Sequence, residues 1–271
     1  MPDSNAFTGT TPEFYDRYLG PFLMAGFAAD LAARVPTAQG LNVLEVACGS
    51  GLVTKALAKT LGEGSKIVAT DLSPEMIQYA ARHFTEPKTN SEIKVEFLPA
   101  DGCELPFKDA EFDVVICQFG LMFFPDKVKG AQEARRVLKP GGTYLFSVWG
   151  PLEENSWGQA LEVAMASAFP TEEGPFLPTP FSLSDDAELR TIIEEAGFSS
   201  ISIEKVQRIS PPTSTEDLTL GFTGGTLIAK YIQEQRADLE QVRRVINQSL
   251  KQQLGDPTQS KLTVWVGRAT L

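Results

Sequence analysis

The sequence predicts an α/β fold: a Rossmann-like, seven-stranded, mostly parallel sheet with helices on both faces and a helical cap. Between residues 40 and 150, short apolar segments rich in β-branched residues alternate with segments of helical period. That alternation is typical of parallel strands joined by helical crossovers. The chain has 271 residues, which is enough for one large domain with a modest cap.

Hydrophobic period and the residues that start or stop helices place the elements in order. Ser73 and Pro74 mark one helix start, and Gly197 marks one helix end. Residues 139–142 are predicted to form a tight turn. The predicted strands are 41–47, 66–71, 93–98, 112–117, 143–149, 201–209 and 261–269, and the predicted helices are 52–61, 73–84, 125–138, 184–196 and two within 214–254.

These elements divide the chain into a sheet core and segments outside it. The core is predicted to comprise residues 39–150, a helix and strand at 183–209, and a last strand at 259–271. The other segments depart from or return to the sheet, so we expect them to cover one edge of it. They are an N-terminal helical lid at 1–38, a cap insertion at 151–182 and a helical cap insertion at 210–258.

Charge and cysteine content argue against several classes of protein. The formal net charge is −11, from 24 basic and 35 acidic residues, which disfavours nucleic-acid and anionic membrane partners. Cys48, Cys103 and Cys117 form neither a paired disulfide framework nor a C-x-x-C metal motif, which favours a reducing, cytoplasmic compartment. The N-terminus has no secretory signal pattern, and the sequence has no apolar run of about 18 residues.

Polar and glycine residues follow four consecutive predicted strands, at the point where each strand ends. They are residues 45–51, Asp71, 101–103 and 117–119. Ligands of doubly wound sheets bind beyond the carboxyl ends of the strands, at the switch in strand order. The sequence therefore predicts a ligand site at this edge.

The chemistry of these residues favours S-adenosylmethionine over a nicotinamide dinucleotide. Gly49 and Gly51 allow a sharp turn that a ligand can approach closely, and Asp71 can accept both hydroxyls of an unphosphorylated ribose. Thr54 stands where the dinucleotide motif G-x-G-x-x-G has its third glycine. The carboxylate of Glu45 opposes a pyrophosphate but suits a ligand with an ammonium group.

Five segments of the core resemble the motifs of class I S-adenosylmethionine-dependent methyltransferases, in matching order and spacing. They read VLEVACGSG at 43–51, TDLSPEM at 70–76, ADGCELPF at 100–107, FDVV at 112–115 followed by Gln118, and RVLKPGG at 136–142. The resemblance covers residues 40–150 and points to the subgroup of ubiquinone/menaquinone-type and small-molecule methyltransferases. It is only general in the cap, where we expect substrate preference to be set.

The resemblance implies S-adenosylmethionine as the cofactor and assigns roles at each strand end. Glu45 would organise the methionine end, and Gln118 would contact it. Asp71 would bind the ribose hydroxyls, and Asp101 would accept a hydrogen bond from the adenine amino group. The other implied cofactor residues are Ala47, Gly49, Gly51, Leu72, Met76, Gly102 and Cys103.

Aromatic and apolar residues after the fourth strand and in the outer segments favour a small hydrophobic or aromatic acceptor. For any single ring, the alternative is that it packs the cap or the N-terminal helix onto the sheet. The candidate substrate-binding residues are Tyr15, Tyr18, Phe119, Met122, Trp149, Phe181 and Phe222.

No catalytic side chain and no metal site are predicted. The single histidine, His83, falls in the helix after the second strand, away from the expected methyl group, which disfavours a histidine base. Methyl transfer from a sulfonium is an in-line displacement that mainly requires alignment of the reactants and exclusion of water. Cys117 is expected to be a small buried hydrophobe rather than a reactive thiol.

Three functions remain open on the sequence alone. The first is methyl transfer to O, N, S or C of a small acceptor, and the second is a non-catalytic S-adenosylmethionine-binding sensor or scaffold. A dinucleotide-dependent reductase is the third, disfavoured by Thr54 and Glu45. We expect a monomer or homodimer, because the apolar stripe within 236–254 can pack on its own cap or form a dimer contact.

Overall fold

A single seven-stranded sheet lies at the centre of the fold. The computed structural model describes residues 11–85, 93–172 and 174–271. Its strands are β1 Asn42–Val46, β2 Lys66–Asp71, β3 Lys94–Pro99, β4 Phe112–Gln118, β5 Leu138–Trp149, β6 Ser200–Ile209 and β7 Lys261–Thr270. They lie in the order β3-β2-β1-β4-β5-β7-β6. β1 to β5 pair in parallel, and β7 is antiparallel to both β5 and β6. The predicted fold class is therefore confirmed.

The central strands are apolar because the sheet is covered on both faces. Val43, Leu44, Ile67 and Val115 are essentially inaccessible to solvent, as expected for strands in a parallel sheet. The chain runs from β1 outward to β3 and then returns to β4 beside β1. This reversal creates the switch in strand order at which such sheets bind ligands.

Helices surround the sheet and begin at polar capping residues. The Ser73 hydroxyl accepts a hydrogen bond from the Met76 amide at 3.2 Å, and Asp185, Ser214 and Asp238 accept backbone N–H groups in the same way. The helices after β1 are Leu52–Thr60, Pro74–His83, Lys127–Val137, Ser156–Ala168, Asp186–Glu195, Thr215–Gly225, Leu227–Glu234 and Leu239–Leu254.

The N-terminal helix precedes the sheet and contains an unusual central part. It consists of Thr11–Phe14, a π-helical segment Tyr15–Met24 and Ala25–Ala33. Leu19, Phe22 and Leu23 in the π-helical segment are buried, and Pro21 lies within it. Residues 1–10 of the predicted lid lie outside the described residues.

Two local predictions differ from the structure. The segment 214–254 forms three helices rather than two, because Thr226 ends the first and its hydroxyl accepts the Ile228 amide of the next. The predicted tight turn at 139–142 instead lies within β5. The pairing of β4 with β5 shifts register between Phe112 and Val114, so the additional residues are accommodated as an irregularity in the ladder.

The apolar stripe of Leu239–Leu254 packs on the chain's own cap. This helix contacts Ser156–Ala168 and Thr215–Gly225, and its residues Val242, Ile246 and Leu250 are buried. Of the two alternatives for this stripe, the structure contains the intramolecular one.

Within the described ranges, no helix is both long and apolar enough to cross a bilayer. The same residues contain no cluster of three or more His, Cys, Asp or Glu arranged to hold a metal ion. Cys48, Cys103 and Cys117 are all unpaired.

Candidate active site

A cavity of about 780 Å³ lies at the carboxyl ends of β1, β2, β4 and β5. The N-terminal helix and the cap enclose its other sides. Its volume is in the upper part of the range of about 300–1,000 Å³ that is usual for ligand pockets. Eight of the predicted cofactor residues line it: Ala47, Gly49, Asp71, Leu72, Met76, Asp101, Gly102 and Gln118.

The turn after β1 brings backbone groups to the cavity. Ala47 and Gly49 have φ of 57° and 53°, in the left-handed region. A Cβ on Gly49 would meet no atom within 4 Å, so the space above this turn is open to a ligand. Gly51, with φ of 80°, precedes the helix Leu52–Thr60 and does not line the cavity. Its Cβ would lie 3.3 Å from that of Ala80, so this glycine also allows close packing.

Asp71 ties the β1 turn to the end of β2. Its Oδ2 accepts the Gly49 amide at 2.8 Å, and its Oδ1 accepts the Ser73 amide at 2.9 Å. Burial raises the pKa of Asp71, and these backbone N–H groups oppose the rise because they favour the ionised form. The carboxylate is thus held in a fixed orientation at the cavity wall, where it can still accept hydroxyl groups.

Glu45 lies behind the cavity surface rather than on it. Its side chain is buried, and its Oε2 accepts a hydrogen bond from the Thr54 hydroxyl at 2.5 Å. Burial, with a smaller contribution from the charge of nearby Asp71, raises the pKa of Glu45 to about 8, and the hydrogen bond from Thr54 opposes this rise. At neutral pH the side chain is therefore mainly protonated, and a nearby cationic ligand would favour its ionised form.

The turn after β3 carries the third acid. Asp101 Oδ1 accepts the Cys103 amide at 2.8 Å. A Cβ on Gly102 would lie 2.5 Å from Phe124 Cζ, so glycine lets this turn pack against the ring. Cys103 does not line the cavity, and its thiol instead points to the Asp126 carbonyl at 3.4 Å.

Gln118 connects the sheet to the N-terminal helix. Its Nε2 donates to the Met24 carbonyl at 3.1 Å. Its Oε1 is buried and has no hydrogen-bond partner. Because buried amide oxygens are normally paired, this atom fits a hydrogen-bond donor of a bound ligand, such as an ammonium group.

The other end of the cavity is aromatic. Four of the predicted substrate-binding residues line it: Phe119, Met122, Trp149 and Phe222. Tyr15, the fifth that lines the cavity, lies near Asp71, and burial together with the charge of Asp71 raises the pKa of its phenol. Phe119 and Trp149 stack with ring centroids 4.4 Å apart, and Trp157 stacks on Phe222 at 5.7 Å. These rings form an apolar chamber beside the acids and glycines of the strand ends.

Tyr18 and Phe181 do not line this cavity. Tyr18 lies on another face of the N-terminal helix, in a smaller pocket with Pro211 and Asp217. Phe181 packs on Trp157, with ring centroids 5.6 Å apart. The structure therefore does not bring these two rings to the cavity with the other candidate residues.

Several lining residues carry no signal in the sequence analysis. They come from the N-terminal helix, the cap insertion and the helix Leu227–Glu234. Their residue types are those of any apolar core, so only the folded chain could identify them. They are Leu19, Leu23, Leu161, Met165, Phe176, Leu177, Ile228 and Tyr231.

The donor set fits S-adenosylmethionine. A carboxylate at the end of β2, a second acid after β3, open backbone at Gly49 and an unpartnered amide oxygen at Gln118 surround one space. Two acids facing this space suit a cationic nucleoside and disfavour a diphosphate. The fold and these features together indicate a methyltransferase that uses S-adenosylmethionine. Comparison with known proteins tests this interpretation.

A family model described as a methyltransferase domain matches residues 44–146. The demethylmenaquinone methyltransferase of Staphylococcus aureus is 31% identical over 175 residues, which cover 61% of this chain and 70% of that protein. The chain belongs to the class I S-adenosylmethionine-dependent methyltransferases, and S-adenosylmethionine is its cofactor.

Two further proteins mark the extent of the similarity. An uncharacterized protein of Mycobacterium tuberculosis is 36% identical over 127 residues, which cover 47% of this chain but only 44% of that protein. Phosphoethanolamine N-methyltransferase 2 of Haemonchus contortus, solved with phosphomonomethylethanolamine and S-adenosylhomocysteine, aligns with a TM-score of 0.60 at 18% identity. That alignment covers 99% of this chain and 59% of the solved chain, and it supports the fold alone.

Proposed function

We propose that this protein transfers a methyl group from S-adenosylmethionine to a small apolar or aromatic organic acceptor, at O, N, S or C. The observation that carries the proposal is a single cavity with two chemically different ends. Acids, glycines and an amide oxygen lie at the strand ends, and stacked rings lie beside them. A cofactor and an acceptor bound at these two ends would share one enclosed space.

The cofactor would be held by the strand-end residues. Asp71 would accept the ribose hydroxyls, and Asp101 would accept a hydrogen bond from the adenine amino group. Gln118 Oε1 and the more deeply placed Glu45 would favour the ammonium group of the methionine end. The other residues proposed to contact or support the cofactor are Ala47, Gly49, Gly51, Leu72, Met76, Gly102 and Cys103.

The proposed mechanism is an in-line displacement favoured by proximity. When bound, S-adenosylmethionine would supply an electrophilic methyl group on a positively charged sulfur, which would leave with the electron pair of the sulfur–methyl bond. The chain's residues would align the acceptor and exclude water, which can contribute several kcal/mol. The stacked rings of the aromatic chamber offer no general base themselves, whereas Glu172, Tyr231 and Glu234 line the same cavity.

Outside the core, we propose that the N-terminal segment acts as a lid and that 151–182 and 210–258 form the cap over the acceptor. The S. aureus relative, named for demethylmenaquinone, supports an apolar acceptor. Three unpaired cysteines support a reducing, cytoplasmic compartment.

Calorimetry and a labelled-methyl assay test the proposal together. We expect the wild-type protein to bind S-adenosylhomocysteine and to transfer labelled methyl to at least one member of a panel of small aromatic and apolar acceptors. Binding without any methylated product would indicate the sensor alternative. The absence of binding would refute both functions.

A further inference from the structure

Two residues that line the cavity have a buried polar atom without a hydrogen-bond partner: Gln118, at Oε1, and Trp157, at Nε1. Gln118 belongs to the cofactor end. Trp157 belongs to the aromatic chamber and is only 4% exposed. The proposed cofactor contacts do not use its indole N–H.

A second tryptophan of the same chain shows what a buried indole N–H normally does. Trp265 is 9% exposed, and its Nε1 donates to the Ser184 carbonyl at 2.7 Å. Trp265 does not line the cavity, whereas Trp157 does. Because a buried indole N–H usually has a partner, the unpartnered N–H of Trp157, a residue of the cavity wall, is unusual beside that of Trp265.

The rings around Trp157 are hydrocarbon or indole and provide no oxygen. Trp149 lies at 5.1 Å with its ring inclined by 60°, Phe181 lies at 5.6 Å, and Phe222 is stacked at 5.7 Å. Burying an N–H group in such surroundings without a hydrogen bond is unfavourable. The cost is removed if the bound molecule brings an acceptor atom to this position.

The geometry of the chamber also restricts the shape of that molecule. The stacked pairs Phe119–Trp149 and Trp157–Phe222 have interplanar angles of 12° each, and the T-shaped contact between Trp149 and Trp157 joins the two pairs. Flat ring systems pack best on such faces and edges. A planar, conjugated molecule therefore suits the chamber better than a branched aliphatic one.

We propose that Trp157 is a specificity residue whose indole N–H donates a hydrogen bond to an oxygen of a planar, conjugated acceptor, such as a carbonyl or phenol oxygen. This inference rests on the proposed function to the extent that the molecule in the chamber is the methyl acceptor. It adds that an oxygen on that molecule is recognised separately from its apolar surface.

The test compares two probes that differ by one oxygen. They are 1-tetralone, a bicyclic aromatic ketone, and tetralin, the same bicycle without the carbonyl. Their affinities are measured for the wild-type protein saturated with S-adenosylhomocysteine, for Trp157→Phe, which keeps a ring but loses the N–H, and for Trp265→Phe. The last variant is the matched control, because it removes an indole N–H that already has a partner in the protein.

We expect the wild type to bind the ketone about threefold to tenfold more tightly than tetralin, the range expected for one neutral hydrogen bond. Trp157→Phe should lose that preference and bind tetralin as before. Trp265→Phe should keep it. Equal affinities of the two probes for the wild type, failure of both to bind, or equal loss of both in Trp157→Phe would overturn the proposal.

An indole ¹⁵N label gives a readout that a purely structural role would not change. The chain has three tryptophans, and the Trp157→Phe variant assigns the Trp157 signal. The ketone should move the Trp157 N–H proton downfield, and tetralin should not. A ketone-induced shift confined to Trp149 or Trp265 would contradict the proposal.

The proposed function fails separately from this inference. It fails if S-adenosylhomocysteine does not bind or if no acceptor is methylated. The inference fails if S-adenosylhomocysteine binds normally and Trp157→Phe keeps the wild-type preference for 1-tetralone over tetralin.

Discussion

The two ends of the cavity are built in different ways. At the proposed cofactor end, backbone amides and carboxylates from short contiguous motifs fix one another, as Gly49 and Ser73 do with Asp71. At the proposed acceptor end, side chains from segments far apart in sequence meet, as Trp149, Trp157 and Phe222 do. A backbone-built site tolerates few substitutions, whereas a site built from side chains can change its preference while the fold persists.

The largest expected effect is at Asp71. Replacing it with alanine removes the acceptor of two backbone amides and of the proposed ribose hydroxyls. Hydrogen bonds to a charged group contribute about 1.5–3 kcal/mol each. Asp71→Ala should therefore weaken S-adenosylhomocysteine binding by about a hundredfold or more in calorimetry.

Glu96→Ala is the control for this variant. Glu96 lies on the neighbouring β3, is half-exposed and pairs with Lys66 at 2.8 Å. Its removal should leave the affinity for S-adenosylhomocysteine unchanged within about twofold. Equal affinities of Asp71→Ala and the wild type would rule out the proposed cofactor end.

The second effect is a pH dependence of stability at Glu45. Its pKa is about 8 in the folded protein against 4.5 ordinarily, so the folded state retains a proton that the unfolded state loses. The free energy of unfolding should therefore decrease as pH rises from about 5 to 8 and level off above that, with a contribution from Glu45 of about 2 kcal/mol between pH 5 and 7. Glu45→Gln should flatten this part of the profile.

Urea unfolding of the cofactor-free protein at several pH values measures this slope. Thr54→Val is measured alongside, because it removes the hydroxyl that donates to Glu45 and that lowers the pKa of this carboxyl. A slope identical in the wild type and Glu45→Gln would contradict the assignment of the titrating group.

The third effect separates the two ends. Phe222→Leu removes the ring that stacks on Trp157, a contact worth about 0.5–1.5 kcal/mol beyond its buried area. We expect binding of 1-tetralone to weaken about threefold to tenfold and that of S-adenosylhomocysteine to change less than twofold. Equal loss of both ligands would mean that the two ends are not independent.

The smallest effect is at Tyr18. Tyr18→Phe should alter the affinity for S-adenosylhomocysteine and for 1-tetralone by less than about twofold, because its side chain lies in a different pocket. Tyr15→Phe is the comparison, since Tyr15 does line the cavity. A larger effect at Tyr18 than at Tyr15 would show that the N-terminal helix is oriented differently in solution.

The sequence predicted the fold and the places where β1 to β4 end, because apolar strands followed by Gly49, Asp71 and Asp101 are contiguous signals. It could not separate Tyr15 from Tyr18. In an α-helix both positions border one face, but the i→i+5 bonds of the π-helical segment place more than four residues in a turn. Tyr15, Leu19 and Leu23 consequently share the cavity side.

The cap residues at the cavity were less predictable, because their positions also depend on tertiary structure. Leu161 and Tyr231 are residues that any hydrophobic core would use, and their meeting at the cavity depends on how separate helices pack. The break at Thr226 also depends on a local hydroxyl-to-amide bond within an otherwise helical segment. Such features depend on tertiary structure and leave little trace in hydrophobic period.

A crystal structure with S-adenosylhomocysteine tests the two-ended cavity most directly. We expect the ribose hydroxyls at the Asp71 carboxylate, the adenine beside Asp101 and Gly102, and the sulfur facing Phe119 and Trp149. A nucleoside lying instead against Trp157 and Phe222, or outside the cavity, would contradict the division of the site into a cofactor end and an acceptor end.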